Sequence, residues 1–269
     1  MRIVSLCPSL TELVFDLGRG EDLVGITTFC VHPADRVGAV EKVGGTKTPD
    51  VERIVELAPD IVLLNEEENR IEDAEALADA GVRCLASLPK DPATTAAMVR
   101  EIAAALDGGE PGERTARATD IGERIARDIE ERAARVARDA AGARRVRWAY
   151  LIWRKPWMSV NRDTFADALL RLPGGENVFA DLTARYPEIT LEDLRAARPD
   201  VVFLCSEPYR FDERHALELA SSTGIERSRL RIVDGEYLSW HGSRTPDGID
   251  YAERVVRAAR ALESRSASG

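Results

Sequence analysis

Three residues with metal-ligating side chains stand in polar loops that follow short apolar runs. Cys30 and His32 are two positions apart, so in an extended segment their side chains point to the same side. His241 follows an apolar run near the other end of the chain. Thiolates and imidazoles bind metals such as zinc. We therefore expect these three residues to converge on a metal, bound directly or held in a macrocycle, with a structural role in turns as the alternative.

Aromatic side chains make up only 6% of the chain but recur in the same kind of loop. Three of the four tryptophans, Trp153, Trp157 and Trp240, are in such loops. Flat aromatic rings bury much apolar area and stack on planar partners. These positions favour contact with a flat hydrophobic ligand such as a corrin, a porphyrin or an aryl chelate. The alternative is that the rings fill contacts inside the protein.

Cations accompany the tryptophans, although the formal net charge of the chain is −10. A guanidinium group binds a carboxylate or phosphate through paired hydrogen bonds, so this pattern suits an anionic ligand. Ordinary surface ion pairs are the alternative. The predicted ligand-binding residues are Phe29, Glu67, Trp153, Arg154, Trp157, Tyr209, Arg210, Tyr237, Trp240 and Arg244.

Several classes of function lack their usual signatures. The sequence has no P-loop, no G-x-S-x-G and no H-E-x-x-H, and its three histidines form no recognisable triad, which favours a binding protein over an enzyme. A pI near 5.0 argues against nucleic acid as a partner. The longest apolar runs have the length of strands, so we expect no membrane span. Four cysteines without a C-x-x-C pair indicate reduced thiols.

The elements that position these loops alternate between strand and helix. Apolar runs predict strands over 2–6, 23–27 and 60–64. Between them we expect a helix capped by Ser9 and a helix over 49–57 capped near Thr48. Such alternation predicts a parallel sheet covered by helices, with ligands bound at the carboxyl ends of the strands.

One unit of this pattern occurs twice. Residues 51–64 and residues 191–204 share a helix, a Pro-Asp turn and a buried apolar strand. Helix–turn–strand units are common in α/β proteins, so one repeated unit is modest support for a duplicated fold. It nevertheless favours two similar halves.

A long helix is predicted between the halves. Residues 113–140 contain no proline and one glycine, with apolar residues at helical spacing. The loop 107–112 precedes this helix and Gly142 lies near its end. The predicted fold class is therefore α/β, with two Rossmann-like lobes that have parallel sheets, one long connecting helix and a ligand cleft between the lobes. The predicted domains are 1–112, 113–142 and 143–269. A turn-rich stretch, 239–248, precedes a terminal helix over 249–262.

Four segments strengthen this interpretation, and they occur in the order Arg2–Glu12, Val43–Gly45, Leu57–Val62 and Leu172–Phe179. Together with the layout, they resemble the class III periplasmic binding proteins, or helical backbone metal receptors, which include vitamin B12 and iron–siderophore receptors. The Gly-Gly-Glu-Asn stretch in the last segment is the most specific part of the match. One departure is that the B12 receptors carry an aromatic residue in the loop corresponding to 44–47, and this chain has none there.

The resemblance implies the substrate-binding component of an ABC importer, with cobalamin, haem or a chelated metal ion as ligand. It also implies docking onto a permease through one acidic residue on each lobe. The candidates are Glu66, Glu67, Glu68 and Glu72 on the first lobe, and Glu207 and Glu213 on the second.

The start of the sequence leaves a second function open. Met1 leads directly into the first strand without the pattern of a signal peptide. We expect a cytoplasmic protein if Met1 is the native start, and an extracytoplasmic one if a signal has been removed. The alternative function is a cytosolic relative that carries, senses or enzymatically modifies a metal-bound or aromatic ligand in the same cleft.

Overall fold

The computed structural model describes residues 1–107 and 115–266, so most of the predicted loop 107–112 lies outside the described residues. Two compact units form. The first contains Met1–Pro89, Ala93–Asp128 and His241–Arg244. The second contains Lys90–Pro92, Ile129–Trp240 and the chain from Thr245.

The first unit contains a four-stranded parallel sheet in the order β2-β1-β3-β4. Its core includes Val4, Leu6, Ile54, Val62 and Leu64, which are almost fully buried. The elements are β1 (Ile3–Ser5), α1 (Pro8–Asp16), β2 (Leu23–Ile26), α2 (Val51–Glu56), β3 (Ile61–Asn65), α3 (Ile71–Asp79), β4 (Cys84–Ser87) and α4 (Pro92–Leu106), followed by α5 (Thr115–Asp139), which continues into the second unit.

The second unit contains a parallel sheet in the order β10-β9-β5-β7 and a small antiparallel pair of β6 with β8. Its elements are β5 (Val146–Leu151), β6 (Trp157–Met158), α6 (Phe165–Arg171), β7 (Gly175–Asn177), β8 (Glu188–Ile189), α7 (Leu191–Ala197), β9 (Val201–Cys205), α8 (Glu213–Thr223), β10 (Leu230–Val233), α9 (Gly235–Ser239) and α10 (Thr245–Ser266).

The predicted fold class is confirmed by the two parallel sheets and the long helix α5. In each sheet the first strand of the unit lies between the second and the third in chain order, and the fourth lies at the edge. The two units therefore share one strand order.

The repeated Pro-Asp turn fastens the first strand of each sheet to its neighbour. In the first unit, the Arg2 amide donates to the Asp60 carboxylate over 2.7 Å, and the Asp60 amide donates to the Arg2 carbonyl over 2.8 Å. In the second unit, the Arg147 amide donates to Asp200 over 2.8 Å, and the Asp200 amide donates back over 2.7 Å. The two turns thus form the same pair of hydrogen bonds in both units.

The likeness extends to the residues around each aspartate. The Arg2 side chain donates to the Leu57 carbonyl at the end of α2, and the Arg147 side chain donates to the Ala197 carbonyl at the end of α7. The residue before each proline has a positive φ, 46° in the first unit and 48° in the second. The two repeated segments, 51–64 and 191–204, therefore share hydrogen bonds as well as a sequence pattern.

Two helix caps differ from the prediction. Cys7 is the N-cap of α1 and makes no side-chain capping bond, whereas Ser9 lies inside the first turn, so the predicted Ser9 cap is wrong. Pro8 begins this helix because proline at the first position loses no hydrogen bond there. Asp50 caps α2 by accepting from the Arg53 amide over 2.9 Å, which replaces the predicted cap near Thr48.

The last helix begins four residues earlier than predicted, at Thr245 rather than at position 249. Pro246 and Asp247 looked like loop residues in the sequence. Both suit the first turn of a helix, where an amide hydrogen needs no partner within the helix and a negative charge is stabilised.

Candidate functional site

In the first unit, the loop after β2 exposes one aromatic ring. The Phe29 side chain is 60% exposed, and its loop is fastened by a 2.8 Å hydrogen bond from the Thr28 amide to the Gly44 carbonyl. A side chain added at Gly45 would come within 3.4 Å of the Phe29 ring. Phe29 thus presents its ring beside the 44–47 loop, which has no aromatic residue of its own.

The loop after β3 is held by Asn65, which sequence reasoning missed. Its side-chain oxygen accepts from the amides of Glu67 and Glu68 over 3.0 and 3.1 Å. The Lys47 ammonium group donates to the Glu67 carbonyl over 2.5 Å. One feature of the sequence indicates this role: an asparagine stands at the end of an apolar strand, and asparagine side chains often bond to nearby backbone amides. Asn65 therefore sets the path of the acidic loop.

The predicted metal ligands do not come together. The Cys30 thiol is buried, 3.1 Å from the Thr11 hydroxyl and 3.2 Å from the Thr27 hydroxyl. In residues 1–107 and 115–266, no three His, Cys, Asp or Glu side chains form a group that could hold a metal ion. Cys30, His32 and His241 thus form no such group by themselves, and the Cys30 thiol turns into the core among hydroxyl groups.

His241 lies in the first unit, although the predicted domain 143–269 includes it. Its Nε2 atom is 3.3 Å from the Asn65 side-chain nitrogen and 3.5 Å from the Ser9 hydroxyl, and the side chain is buried. Gly242 follows with φ of 109°, a conformation that suits glycine. This turn lets the segment 241–244 pack against α1.

Arg244 also belongs to the first unit, although the predicted domain 143–269 includes it. Its guanidinium group donates to both carboxylate oxygens of Glu12 on α1, over 2.9 and 2.6 Å, and both side chains are largely buried. Ser243 donates to Asp16 over 2.5 Å. Burial raises the pKa of the Asp16 carboxyl, and the bond from Ser243 opposes that rise. The charge of Arg244 is therefore balanced by Glu12, within the first unit.

In the second unit, a tight turn links Trp153 to β6. The Ile152 amide donates to the Met158 carbonyl over 3.0 Å, and the Met158 amide donates to the Trp153 carbonyl over 3.1 Å. The turn leaves the Trp153 side chain 41% exposed at the carboxyl end of β5. Two predicted ligand-binding tryptophans, Trp153 and Trp157, thus stand on one short turn.

These rings join a cluster that follows β9. Trp153 meets Tyr209 edge-on at 5.6 Å between ring centroids, and Trp157 stacks on Phe211 at 6.0 Å. Phe211 and His215 escaped the sequence prediction, and both contact Tyr209, at 4.7 and 5.4 Å. We call this group the aromatic surface, comprising Trp153, Trp157, Tyr209, Phe211 and His215.

The cations near the aromatic surface differ in their partners. Arg154 donates to both carboxylate oxygens of Glu218 on α8, over 2.5 and 2.7 Å, and lies 5.9 Å from the Trp157 ring. The hydrogen bond to Glu218, followed by one to Tyr209, raises the pKa of Arg154. Arg210 and Lys155 are exposed. The side chain of Arg154 is thus held in place, and its charge is matched by a carboxylate.

Two other predicted residues are engaged in packing. Trp240 is buried, and its indole N–H donates to Glu207 over 3.1 Å. Tyr237 stacks on Tyr251 of α10 at 5.1 Å. For Trp240, this burial corresponds to the alternative that the sequence left open, a ring that fills a contact inside the protein.

No helix in the described ranges 1–107 and 115–266 combines the length and the apolar character needed to cross a membrane. Two α/β units with parallel sheets, and aromatic side chains in loops at strand ends, are typical of the class of two-unit α/β binding proteins. The family model described as "Periplasmic binding protein" matches residues 3–225. The chain belongs to this family.

Known relatives agree with that assignment. The vitamin B12-binding protein of Vibrio parahaemolyticus is 27% identical over 248 residues, which cover 92% of this chain and 86% of the relative. The structure of the periplasmic vitamin B12 binding protein BtuF of Vibrio cholerae matches with a TM-score of 0.78 at 21% identity, covering 96% of this chain and 97% of that one. The periplasmic heme-binding protein RhuT from Roseiflexus sp. RS-1 matches with a TM-score of 0.78 at 24% identity, covering 97% and 98%.

Proposed function

We propose that the protein binds a metal-containing cofactor or chelate of the cobalamin, haem or iron–siderophore type and serves as the substrate-binding component of an ABC importer. The observation that carries this proposal is the aromatic surface, in which five rings gather at the carboxyl ends of β5 and β9. Trp153 is the exposed ring of this group, and a flat ligand stacked on it removes apolar area from water, at roughly 25 cal/mol per Å².

The chemistry of the neighbouring side chains supports an anionic ligand. Arg210 and Lys155 are exposed beside the aromatic surface, in a protein whose net charge is otherwise negative. Porphyrins and siderophore complexes commonly carry carboxylates or other oxygen acceptors, which such cations attract. Phe29 of the first unit offers a separate exposed ring for the same kind of ligand.

The relatives support the ligand class and the cellular setting. One is named as a vitamin B12-binding protein and another as a periplasmic heme-binding protein. We infer from them that this protein acts outside the cytoplasm. For docking onto a permease, Glu66, Glu68 and Glu72 are the exposed candidates in the first unit. Glu213 of the second unit is exposed as well but pairs with Arg227.

The proposal is tested by titrating haemin, cyanocobalamin and a ferric hydroxamate siderophore into the purified protein, with tryptophan fluorescence and visible absorption as readouts. We expect at least one to bind, and Trp153→Ala to weaken that binding about tenfold or more, because a stacking ring contributes roughly 1–3 kcal/mol. Tyr186→Ala, at an aromatic residue outside the aromatic surface that is 38% exposed, is the matched control and should bind normally. If Trp153→Ala binds as tightly as wild type, the aromatic surface is not the site.

A further inference from the structure

Asn65 and His241 meet in a buried part of the first unit. The Asn65 side-chain nitrogen is 3.3 Å from Nε2 of His241, and both side chains are buried. An amide nitrogen donates hydrogen bonds and cannot accept them, whereas a ring nitrogen of histidine does either. The orientation of the Asn65 amide therefore decides which role Nε2 has.

Three bonds to the backbone fix the orientation of the Asn65 amide. Its oxygen accepts from the backbone amides of Glu67 and Glu68 over 3.0 and 3.1 Å. Its nitrogen donates to the Ser87 carbonyl over 3.0 Å. Backbone amides only donate and backbone carbonyls only accept, so the reversed orientation would break all three bonds. The nitrogen thus faces His241, and Nε2 accepts its second hydrogen. The neutral ring then carries its own hydrogen on Nδ1.

A second proton on His241 conflicts with this arrangement. Nε2 would then carry a hydrogen that points at the amide nitrogen of Asn65, which also carries hydrogens. Turning the amide over removes the conflict, because its oxygen then accepts from Nε2. The same rotation points the amide nitrogen at the backbone amides of Glu67 and Glu68 and breaks both bonds to that loop. A bond from protonated His241 and the bonds to the loop therefore exclude each other.

Other ionisable groups belong to the elements around this pair. They are Cys7, Glu12 and Asp16 at α1, Lys47 and Glu66 to Glu68 on the loops, and Arg244 on the segment of His241. Burial raises the pKa of the Cys7 thiol to about 12, so it stays neutral. Glu12 and Arg244 pair with each other. Burial raises the pKa of Asp16 and of Glu68, so an acid response of these two carboxyls has to be separated from that of His241.

We propose that His241 and Asn65 form a proton-dependent switch for the loop 66–68. At neutral pH, the uncharged His241 accepts from Asn65, and the Asn65 oxygen holds the loop. In mild acid, His241 takes up a proton, the Asn65 amide turns over and the loop is released. This loop carries Glu67, a predicted ligand-binding residue, and two of the docking candidates. The switch goes beyond the proposed function and does not depend on it, because it assumes nothing about the ligand.

Nuclear magnetic resonance of the isotope-labelled full chain tests the switch. Spectra recorded from about pH 7.5 to about pH 4.5 span the ordinary histidine value near 6.5. We expect the His241 ring to carry hydrogen on Nδ1 at the upper end and on both nitrogens at the lower end. Over the same transition, the protection of the Glu67 and Glu68 amides from hydrogen exchange, corrected for the intrinsic rate, should fall about tenfold or more. The Asp60 amide, bonded to the Arg2 carbonyl in the same unit, should keep its protection.

Two glutamine substitutions separate His241 from the other ionisable groups. His241→Gln offers an oxygen that accepts from Asn65 but takes up no proton, so the two loop amides should stay protected at every pH. His32→Gln is the matched control, because it removes another histidine of the same unit and should leave the acid response unchanged. Loss of protection in His241→Gln at the same pH as in wild type would assign the response to carboxyls and overturn the switch.

Asn65→Asp tests the orientation of the amide. A carboxylate accepts on both oxygens, so it can hold the loop and bind protonated His241 at the same time. We expect His241 to become charged at a higher pH than in wild type, with the loop amides protected throughout. This variant loses the bond to the Ser87 carbonyl, a loss that His241→Gln avoids.

The wild-type spectra alone can overturn the proposal. If His241 becomes charged while both loop amides stay protected, the Ser9 hydroxyl, 3.5 Å from Nε2, accepts the new hydrogen and Asn65 does not turn. A ring with its hydrogen on Nε2 at neutral pH, or one that stays neutral over the whole range, would also overturn the switch. Loss of protection at Asp60 together with the loop would show unfolding of the unit in place of a local release.

Discussion

Gly175 and Asn177 belong to the Gly-Gly-Glu-Asn stretch, which is the most specific part of the family resemblance. Their contacts indicate that this stretch has a structural role. A side chain at Gly175 would lie 2.2 Å from the Leu170 carbonyl oxygen and 2.5 Å from the indole nitrogen of Trp148. The side-chain amide of Asn177 donates to the Val160 carbonyl and to the buried Asp167 carboxylate over 2.9 and 3.0 Å. The absence of a side chain at Gly175 leaves room for the Trp148 indole. The Asn177 side chain supplies hydrogen bonds to polar groups that are buried away from water.

We expect Gly175→Ala to lower the free energy of unfolding by about 1–3 kcal/mol, because a methyl group forced into a packed site strains its surroundings. The nearest atom belongs to the backbone of Leu170, which cannot move aside easily. Gly38→Ala is the matched control, since an added side chain there meets nothing within 4 Å. Its expected change is within about 0.5 kcal/mol. Urea denaturation of both variants measures the difference, and equal effects would contradict this account.

At the residue scale, the proximity of three rings is easier to explain from the sequence than the polar contacts are. Trp153, Trp157 and Tyr209 follow strands that are neighbours in one parallel sheet, so their proximity followed from the strand order. Cys30 and His241 could not be placed in this way. The direction of the Cys30 thiol depends on Thr11 and Thr27, and the position of His241 depends on a turn at Gly242. Such details depend on packing that no sequence period encodes.

At the scale of elements, Glu123 ties α4 to α5 within the first unit. It accepts hydrogen bonds from Arg100 of α4 over 2.7 Å and from Arg127 of α5 over 2.8 Å. These bonds, the one from Arg100 first, lower the pKa of Glu123 from 4.5 to about 2. The folded state therefore holds this proton less tightly than the unfolded state does.

We expect the stability difference between wild type and Glu123→Gln to depend on pH. Because the folded pKa is depressed, the contribution of Glu123 is fully present above about 4.5 and is lost as the pH falls through about 2. The two unfolding curves should thus converge in acid. Urea denaturation across this range measures it, and Glu75→Gln, at an exposed glutamate on α3, is the control. A difference that stays constant with pH would contradict the assignment.

The elements that were predicted from the sequence are present, but their caps were less predictable. The helix over 113–140 was predicted from composition and spacing, and Thr115–Asp139 lies within that range. The N-caps of α1 and α2 were displaced because several polar residues stood near each helix start. Any of them can accept a backbone hydrogen bond, and the geometry of the preceding loop decides which one does.

At the scale of the whole molecule, the two units are linked by more than one stretch of chain. Helix α5 begins in the first unit and ends in the second, with the change at Asp128 and Ile129. The segment His241–Arg244 belongs to the first unit, yet the residues on both sides of it belong to the second. Loss of the first unit therefore frees one end of α5 and removes the anchor between α9 and α10.

We expect this sharing to make the units unfold together. Ile54→Ala removes a fully buried side chain from the core of the first unit and should cost about 2–5 kcal/mol. All four tryptophans lie in the second unit, so their fluorescence reports on that unit alone. The fluorescence midpoint in urea should fall by the same amount as the midpoint from circular dichroism, which follows the helices of both units. An unchanged fluorescence midpoint beside a lowered dichroism midpoint would show that the second unit unfolds independently.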